Sequence, residues 1–249
     1  NRAALGMRFR LLTGVLCVCA MGALAAPVPP LSTAKQVAEH WAFKPVRSPE
    51  IPKNKNTRWA QNELDAFVLK RLEVRGWEPS ARADRRTLIR RATMDLTGLM
   101  PTQEAVRQFV EAGAPDAWPK LIERLLASPH YGERWGRHWL DVARYADNKG
   151  YVGVGVNRIY SYAFAYRDYV VRAFNQDLPF NQFILEQIAA DQLHLGEDKR
   201  ALAAMGFLTL GRRFLNREDD IIDDRIDVVT RGFMAFTVTC ARCHDHKYD

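Results

Sequence analysis

Two cysteines and a histidine near the C-terminus form the pattern with the most specific chemistry in this sequence. They occur in the run Cys240-Ala-Arg-Cys243-His244. This is the spacing of covalent haem attachment, in which each thiol forms a thioether to a porphyrin vinyl group and the next imidazole binds the iron as proximal ligand. With 4 Cys and 6 His in 249 residues, composition alone predicts about 0.0015 such runs. The sequence therefore predicts one covalent haem c held by Cys240, Cys243 and His244.

Two other interpretations of these residues stay open. In an exported protein, Cys240 and Cys243 could instead form a disulfide or a redox pair. Thiolate and imidazole also suit a metal such as zinc, and His244 would then be joined by Asp245 and His246. A fourth zinc ligand at a suitable spacing is not visible in the sequence.

The second axial ligand of a haem iron is not determined by the spacing. His246 lies two residues after His244, too close along the chain to reach the opposite face of the iron easily. A more distant methionine or histidine would serve. The conceivable residues are His130, His138, His194, Met205 and Met234.

Acidic residues mark the predicted helix that leads to the cysteines. Asp224 lies on it, and Asp220, Asp223 and Asp227 share one face by helical spacing. This face could be a cation site or a docking surface. Alternatively, it is a solvated acidic surface that interacts favourably with the N-terminal end of the helix dipole. The dipole argument favours the solvated surface.

The N-terminus has the pattern of a secretory signal peptide that starts at Met7. A basic region with Arg8 and Arg10 precedes an apolar stretch at 11–21, and the small residues of Ala23-Leu24-Ala25 allow cleavage before Ala26. The 16 residues from 11 to 26 are fewer than the roughly 20 that a membrane-spanning helix needs. We therefore expect a periplasmic or cell-surface protein without a transmembrane anchor after cleavage. Covalent haem attachment in bacteria is also extracytoplasmic, which agrees with this location.

Composition indicates a globular protein that does not bind nucleic acid. Apolar residues make up 47% and charged residues 26% of the chain. The formal net charge is +7, but the basic residues are spread along the chain without a Lys/Arg block.

Apolar periodicity and capping residues predict an all-α fold, an irregular multi-helix domain after a Pro-rich N-terminal linker. Residues 1–25 are assigned to upstream sequence and signal peptide, 26–56 to linker and extended chain, and 57–249 to a helical, cytochrome c-like domain. The stripe at 222, 226, 229, 233 and 236 predicts one buried helix face that points toward Cys240. The segment 149–157, with three glycines, is expected to be a loop or one short hairpin.

Several motifs together resemble one known family. They are His40-Trp41-Ala42-Phe43, Asp95-Leu96-Thr97-Gly98-Leu99, Ser128-Pro129-His130-Tyr131-Gly132-Glu133-Arg134-Trp135, His138-Trp139-Leu140-Asp141 and Cys240-Ala-Arg-Cys243-His244-Asp245-His246-Lys247. From about Trp41 to Asp249 the chain is similar to the second of the planctomycete cytochrome-associated domains, a domain of unknown function.

The resemblance implies an exported protein, often with a cytochrome c module before this domain and a further domain after it. On this basis the chain is expected to be an N-terminal fragment of a longer protein, truncated at its C-terminus, with possible further domains. No reaction comes with the family.

The predicted function is therefore an exported c-type haem protein that transfers electrons to or from an unknown redox partner protein. The alternatives are an extracytoplasmic metal- or redox-dependent enzyme linked to complex carbohydrate breakdown, and a structural module with a Cys-x-x-Cys disulfide.

Overall fold

The computed structural model describes residues 38–40, 44–55, 58–150 and 152–244. Within these ranges the protein is all-α, with nine α-helices, several short 3₁₀ turns and no β-strand, which confirms the predicted class. The predicted signal peptide, much of the linker, Asp245 and His246 lie outside the described residues. The chain divides into two units, one up to Ser80 and one from Ala81.

The described part of the first unit contains irregular chain, two helical residues at 38–39 and one longer helix. Helix α1, Glu63–Val74, begins where the Asn62 side chain accepts a hydrogen bond from the Asp65 amide at 2.9 Å. It ends before Gly76, which has the left-handed φ of +67° that glycine adopts without strain. Residues 44–55 are non-helical, as their prolines predict.

The second unit contains the remaining eight α-helices. They are α2 Arg85–Thr97, α3 Gln103–Glu111, α4 Ala117–Leu126, α5 Pro129–Val142, α6 Ala163–Asn175, α7 Phe180–Ala189, α8 Gly206–Thr209 and α9 Glu218–Met234. Capping explains several of these bounds. Asp84 and Thr102 accept N-terminal amide bonds in α2 and α3, Gly98 ends α2, and Pro129 occupies the first turn of α5.

Two apolar cores lie within this unit. The smaller one joins α2, α3 and α4 through Ile89, Phe109 and Leu121. The larger one joins α5 to α9, and the partly buried Trp139 ring packs against it, 5.0 Å from the Phe183 ring and 5.9 Å from the Phe207 ring.

Buried polar groups in the larger core are paired. The Trp139 indole Nε1 donates to Gln187 Oε1 at 2.9 Å, and the Tyr166 hydroxyl donates to the same oxygen at 2.6 Å. Gln187 is fully buried, so these bonds satisfy a polar group that would otherwise destabilise the core.

A loop connects α5 to α6 and includes the glycine-rich segment. Asn148 and Ile159 form an isolated antiparallel bridge, and the Lys149 amide donates to the Arg158 carbonyl at 2.7 Å. The predicted loop or short hairpin is therefore present, closed by a single bridge.

Helix α9 differs from the predicted single buried stripe. Val228 is fully buried, and Phe233 packs on Phe207 with ring centroids 5.0 Å apart. Ile222 and Ile226 are largely exposed because only the C-terminal half of α9 contacts the core. The helix also ends at Met234, before Phe236, since Ala235 adopts a left-handed conformation. The predicted continuous face from Ile222 through Phe236 toward Cys240 is therefore wrong.

Within the described ranges, no helix has both the length and the hydropathy needed to span a membrane.

Candidate functional site

The residues predicted to attach haem lie on a short segment that follows α9, residues 239–244, here called the cysteine segment. It starts with a 3₁₀ turn, Thr239–Arg242, and the Cys243 amide donates to the Cys240 carbonyl at 3.0 Å. Residues i and i+3 of a 3₁₀ turn are eclipsed, so Cys240 and Cys243 project from the same side. Both are free thiols and exposed, and His244, also exposed, follows directly.

The chemistry of these donors fits covalent haem attachment. Two accessible thiols on one side of a turn can each bond one vinyl group, and an adjacent imidazole can bind the iron. Among the described residues, no group of three or more His, Cys, Asp or Glu side chains is arranged to hold a metal ion. Asp245 and His246, the further donors of the alternative metal site, lie outside the described residues.

The arginine between the two cysteines is held by carboxylates of α9. Arg242 Nη1 donates to Asp220 Oδ1 at 2.7 Å and lies 2.6 Å from Asp223 Oδ2. We call Asp220, Asp223 and Arg242 the Arg242 cluster. A second bond lies beside it, from the Thr239 hydroxyl to Asp227 Oδ1 at 3.0 Å. The cysteine segment is therefore fixed to α9 on both sides of Cys240.

The acidic face of α9 is thus a set of partly solvated ion pairs, and no cation site is found among the described residues. Asp220 also pairs with Arg217 at 3.1 Å, and Asp227 pairs with Arg231 at 2.9 Å. The side chains of Asp220, Asp223 and Asp227 are only 24%, 29% and 16% exposed. The sequence interpretation placed these residues on one face correctly, but it missed their arginine partners.

The Arg242 cluster makes the Asp220 carboxyl group a stronger acid. The hydrogen bond from the Arg242 guanidinium, more than its charge and that of Arg217, lowers the pKa of Asp220 below the ordinary value of 3.8. Asp220 is therefore ionised at neutral pH, when it can pair with Arg242.

A mostly buried ion pair connects α9 to the core. Arg144 Nε donates to Asp224 Oδ1 at 3.0 Å, and Arg144 Nη1 donates to the Phe207 carbonyl at 2.8 Å. The two side chains are 17% and 15% exposed. Gly211 lies against this pair, where a Cβ atom would overlap the Asp224 carboxylate. The pair fixes α9 and so fixes the carboxylates that hold the cysteine segment.

Four of the five conceivable distal ligands lie on other elements than α9 and the cysteine segment. His130 and His138 are on α5, where His130 Nδ1 lies 2.7 Å from Glu133 Oε2. His194 and Met205 precede α8. Met234 is the last residue of α9 and is exposed, six positions before Cys240.

A small cleft lies between α9 and the cysteine segment. It has a volume of about 220 Å³ and is lined by Asp223, Ile226, Val238 and Arg242, among others. Small-molecule sites usually have volumes of roughly 300–1,000 Å³, so this cleft is too small to enclose a porphyrin. Two apolar side chains that precede the cysteines along the chain, Met234 and Phe236, are exposed on the surface.

Comparison with known proteins places the chain in a family. Residues 63–249 match the family model PSCyt2, described as a protein of unknown function (DUF1549). The chain belongs to the PSCyt2 family. The PSCyt2 match begins at α1 and includes the cysteine segment. No curated protein and no solved structure matches the chain. Membership in PSCyt2 brings no reaction with it.

Sequence reasoning missed Arg242 and Arg144 as residues that position this site. A signal for Arg242 was present, since an arginine inside the Cys-x-x-Cys run follows a helix with aspartates at i and i+3. No local signal marks Arg144, because its partner Asp224 lies 80 residues away.

Proposed function

We propose that this PSCyt2 protein is an exported c-type haem protein that transfers electrons to or from a redox partner protein. Cys240 and Cys243 are the covalent anchors, and His244 is the proximal ligand. The observation that carries the proposal is the pair of free, exposed thiols one 3₁₀ turn apart, directly followed by a histidine. The signal-peptide pattern and the resemblance to planctomycete cytochrome-associated domains support it.

The residues around the cysteines have a positioning role in this proposal. Bound haem supplies a one-electron couple. The Arg242 cluster keeps the turn that places both thiols on one side, and the bond from Thr239 to Asp227 fixes its first residue. Met234 and Phe236, six and four positions before Cys240, are exposed apolar side chains near the anchors along the chain. His244 directly follows Cys243, so its imidazole is the nitrogen donor next to the covalent anchors along the chain.

Haem attachment in a maturation system tests the proposal. The full-length protein, expressed with a cytochrome c maturation system, is expected to stay red after acid–acetone extraction and to give a c-type pyridine haemochrome band. Cys240→Ala with Cys243→Ala should abolish covalent attachment. His244→Ala should give altered, poorly attached haem, whereas His40→Ala, at an exposed histidine that is not among the conceivable distal ligands, should leave the spectrum unchanged.

The alternatives give different results in the same experiment. A colourless protein with bound zinc that is lost in the Cys240→Ala, Cys243→Ala variant would favour a metal-dependent enzyme. A colourless protein with the two cysteines joined to each other would favour the structural disulfide.

A further inference from the structure

A cleft separate from the cysteine segment lies between the loop that precedes α6, the start of α6 and the 3₁₀ turn Arg200–Met205. Its volume of about 440 Å³ is within the roughly 300–1,000 Å³ typical of small-molecule sites. Apolar and aromatic side chains form most of its lining, including Tyr162, Leu202 and Met205. Lys149 provides a cation in the same lining.

Three arginines lie close to Lys149. The Lys149 amide donates to the Arg158 carbonyl at 2.7 Å, and the Arg213 amide donates to the Lys149 carbonyl at 3.1 Å. The Arg212 side chain packs over Gly150, where a Cβ atom would lie 3.4 Å from Arg212 Cγ. Lys149 is the charged residue in the lining of the cleft, and the three arginines lie behind it in the adjoining chain.

These four cations have no carboxylate partner among the residues that the structure describes. The carboxylate on the same loop, Asp147, accepts a hydrogen bond from the Tyr145 hydroxyl at 2.6 Å. The charge balance around Lys149 thus differs from that of α9, where Asp220, Asp223 and Asp227 each pair with an arginine. An anion in the cleft would supply a negative charge for Lys149, the cation in its lining.

Contacts within the protein position the aromatic side chain beside Lys149. Lys149 Nζ lies 5.6 Å from the centre of the Tyr160 ring, and the Tyr160 hydroxyl donates to the Gly211 carbonyl at 2.8 Å. Tyr162 is 81% exposed, so its ring offers apolar area that the described chain leaves uncovered. A preformed charged group beside an uncovered aromatic ring favours a ligand that has both an anionic and an apolar part.

We propose that this cleft binds a small organic anion with a ring-sized apolar body and one carboxylate, sulfonate or phosphate group. The anionic group pairs with Lys149, and the apolar body packs between Tyr162, Leu202 and Met205. This binding site is independent of the haem and of the cysteine segment.

Two fluorescent probes that differ by one sulfonate group test the proposal. 1-Anilinonaphthalene-8-sulfonate carries an anion, and N-phenyl-1-naphthylamine has the same ring system without it. We expect one saturable sulfonate site per folded chain and weaker binding of the neutral probe. Lys149→Gln should weaken sulfonate binding about tenfold, as loss of a charge-assisted contact does, and leave the neutral probe unchanged.

Two further variants make the result decisive. Tyr162→Ala, at an exposed position that should not affect folding, should weaken binding of both probes. Lys120→Gln is the matched control, because Lys120 is an exposed lysine paired with Asp116 and does not line the cleft. The proposal is wrong if no saturable binding occurs, if Lys149→Gln and Lys120→Gln behave alike, or if Tyr162→Ala leaves both affinities unchanged. Thermal melting of each variant shows that the comparison is between folded proteins.

Discussion

Arg242 shares its guanidinium between Asp220 and Asp223, and it stands between the two cysteines of the motif. All three side chains retain contact with solvent, where ion pairs contribute little to global stability. Their effect is therefore local. They hold one turn of the chain in place, while the rest of the second unit depends on its apolar cores.

Removing the carboxylates of the Arg242 cluster is expected to loosen the cysteine segment without unfolding the protein. In Asp220→Asn with Asp223→Asn, hydrogen exchange of the Cys243 amide should accelerate by roughly 2- to 10-fold, because the turn that protects it loses its exposed ion pairs. The melting temperature should fall by less than about 3 °C. Glu218→Gln, on the first turn of the same helix, is the control and should change neither quantity. Equal exchange in all three proteins would show that the cluster does not hold the segment.

Acid should release the same segment. The pKa of Asp220 is lowered in the folded protein, so its contribution is complete above the ordinary value of 3.8 and disappears as pH falls through the lower folded pKa. Protection of the Cys243 amide, corrected for intrinsic exchange, should be constant from pH 7 to 5 and decrease below about pH 4. In Asp220→Asn this acid-dependent decrease should be largely lost. An identical pH profile in both proteins would contradict the assignment.

At the residue scale, the sequence identified the candidate haem ligands but not the residues that hold their segment in place. Cys240, Cys243 and His244 are adjacent in the chain, so spacing alone brings them together. Arg242 pairs with carboxylates 19 and 22 residues earlier, and that contact depends on the direction in which the chain turns after α9. Helical spacing could place Asp220 and Asp223 on one face, but it could not show which cation covers them.

At the scale of elements, α9 combines two functions along its length. Its N-terminal half carries the carboxylates that hold the cysteine segment, and its C-terminal half packs into the core through Val228 and Phe233. The ion pair between Asp224 and Arg144 connects α9 to the core, because Arg144 also donates to the Phe207 carbonyl.

Neighbouring aspartates on α9 are expected to differ sharply in their effect on stability. Asp224→Ala leaves Arg144 mostly buried and unpaired, which should lower the free energy of unfolding by about 3 kcal/mol and the melting temperature by roughly 6–12 °C. Asp223→Ala removes only a more exposed pair, and its melting temperature should fall by less than about 3 °C. Thermal or urea unfolding of both variants measures the difference. Similar losses in the two variants would show that the Arg144 pair does not anchor the helix.

Helix bounds were predictable where the capping residues are adjacent in sequence, whereas the burial of a helix face was not predictable. Asp84, Gly98, Thr102 and Pro129 bound their helices as capping preferences predict. The stripe on α9 failed because periodicity shows which residues share a face, but not how much of that face meets a neighbour. Helix α9 ends before Ala235, which adopts a left-handed conformation, and no glycine or proline at this position predicts that end.

At the scale of the whole molecule, the sequence predicts export before haem attachment. N-terminal sequencing of the secreted protein should begin at or near Ala26, because the apolar stretch at 11–21 is followed by small residues suited to cleavage. Replacement of Ala23 and Ala25 by arginine should block processing at this site. A mature protein that retains Met7 and partitions with membranes would contradict the prediction.

The all-α class of the molecule was predictable because caps and helical periodicity recur along most of the chain. The arrangement of the larger core was not, since it depends on distant pairs such as Trp139 with Gln187 and Arg144 with Asp224. Family membership in PSCyt2 agrees with the resemblance seen in the motifs, and it leaves the chemistry to be determined by experiment.

The intact mass of the full-length protein, produced with a cytochrome c maturation system and stripped of non-covalent haem, tests the central claim most directly. The expected mass is that of the processed chain plus one haem, and this addition should be lost in Cys240→Ala with Cys243→Ala. The chain mass alone, with two free thiols, or the chain mass less two hydrogens, with Cys240 bonded to Cys243, would contradict it.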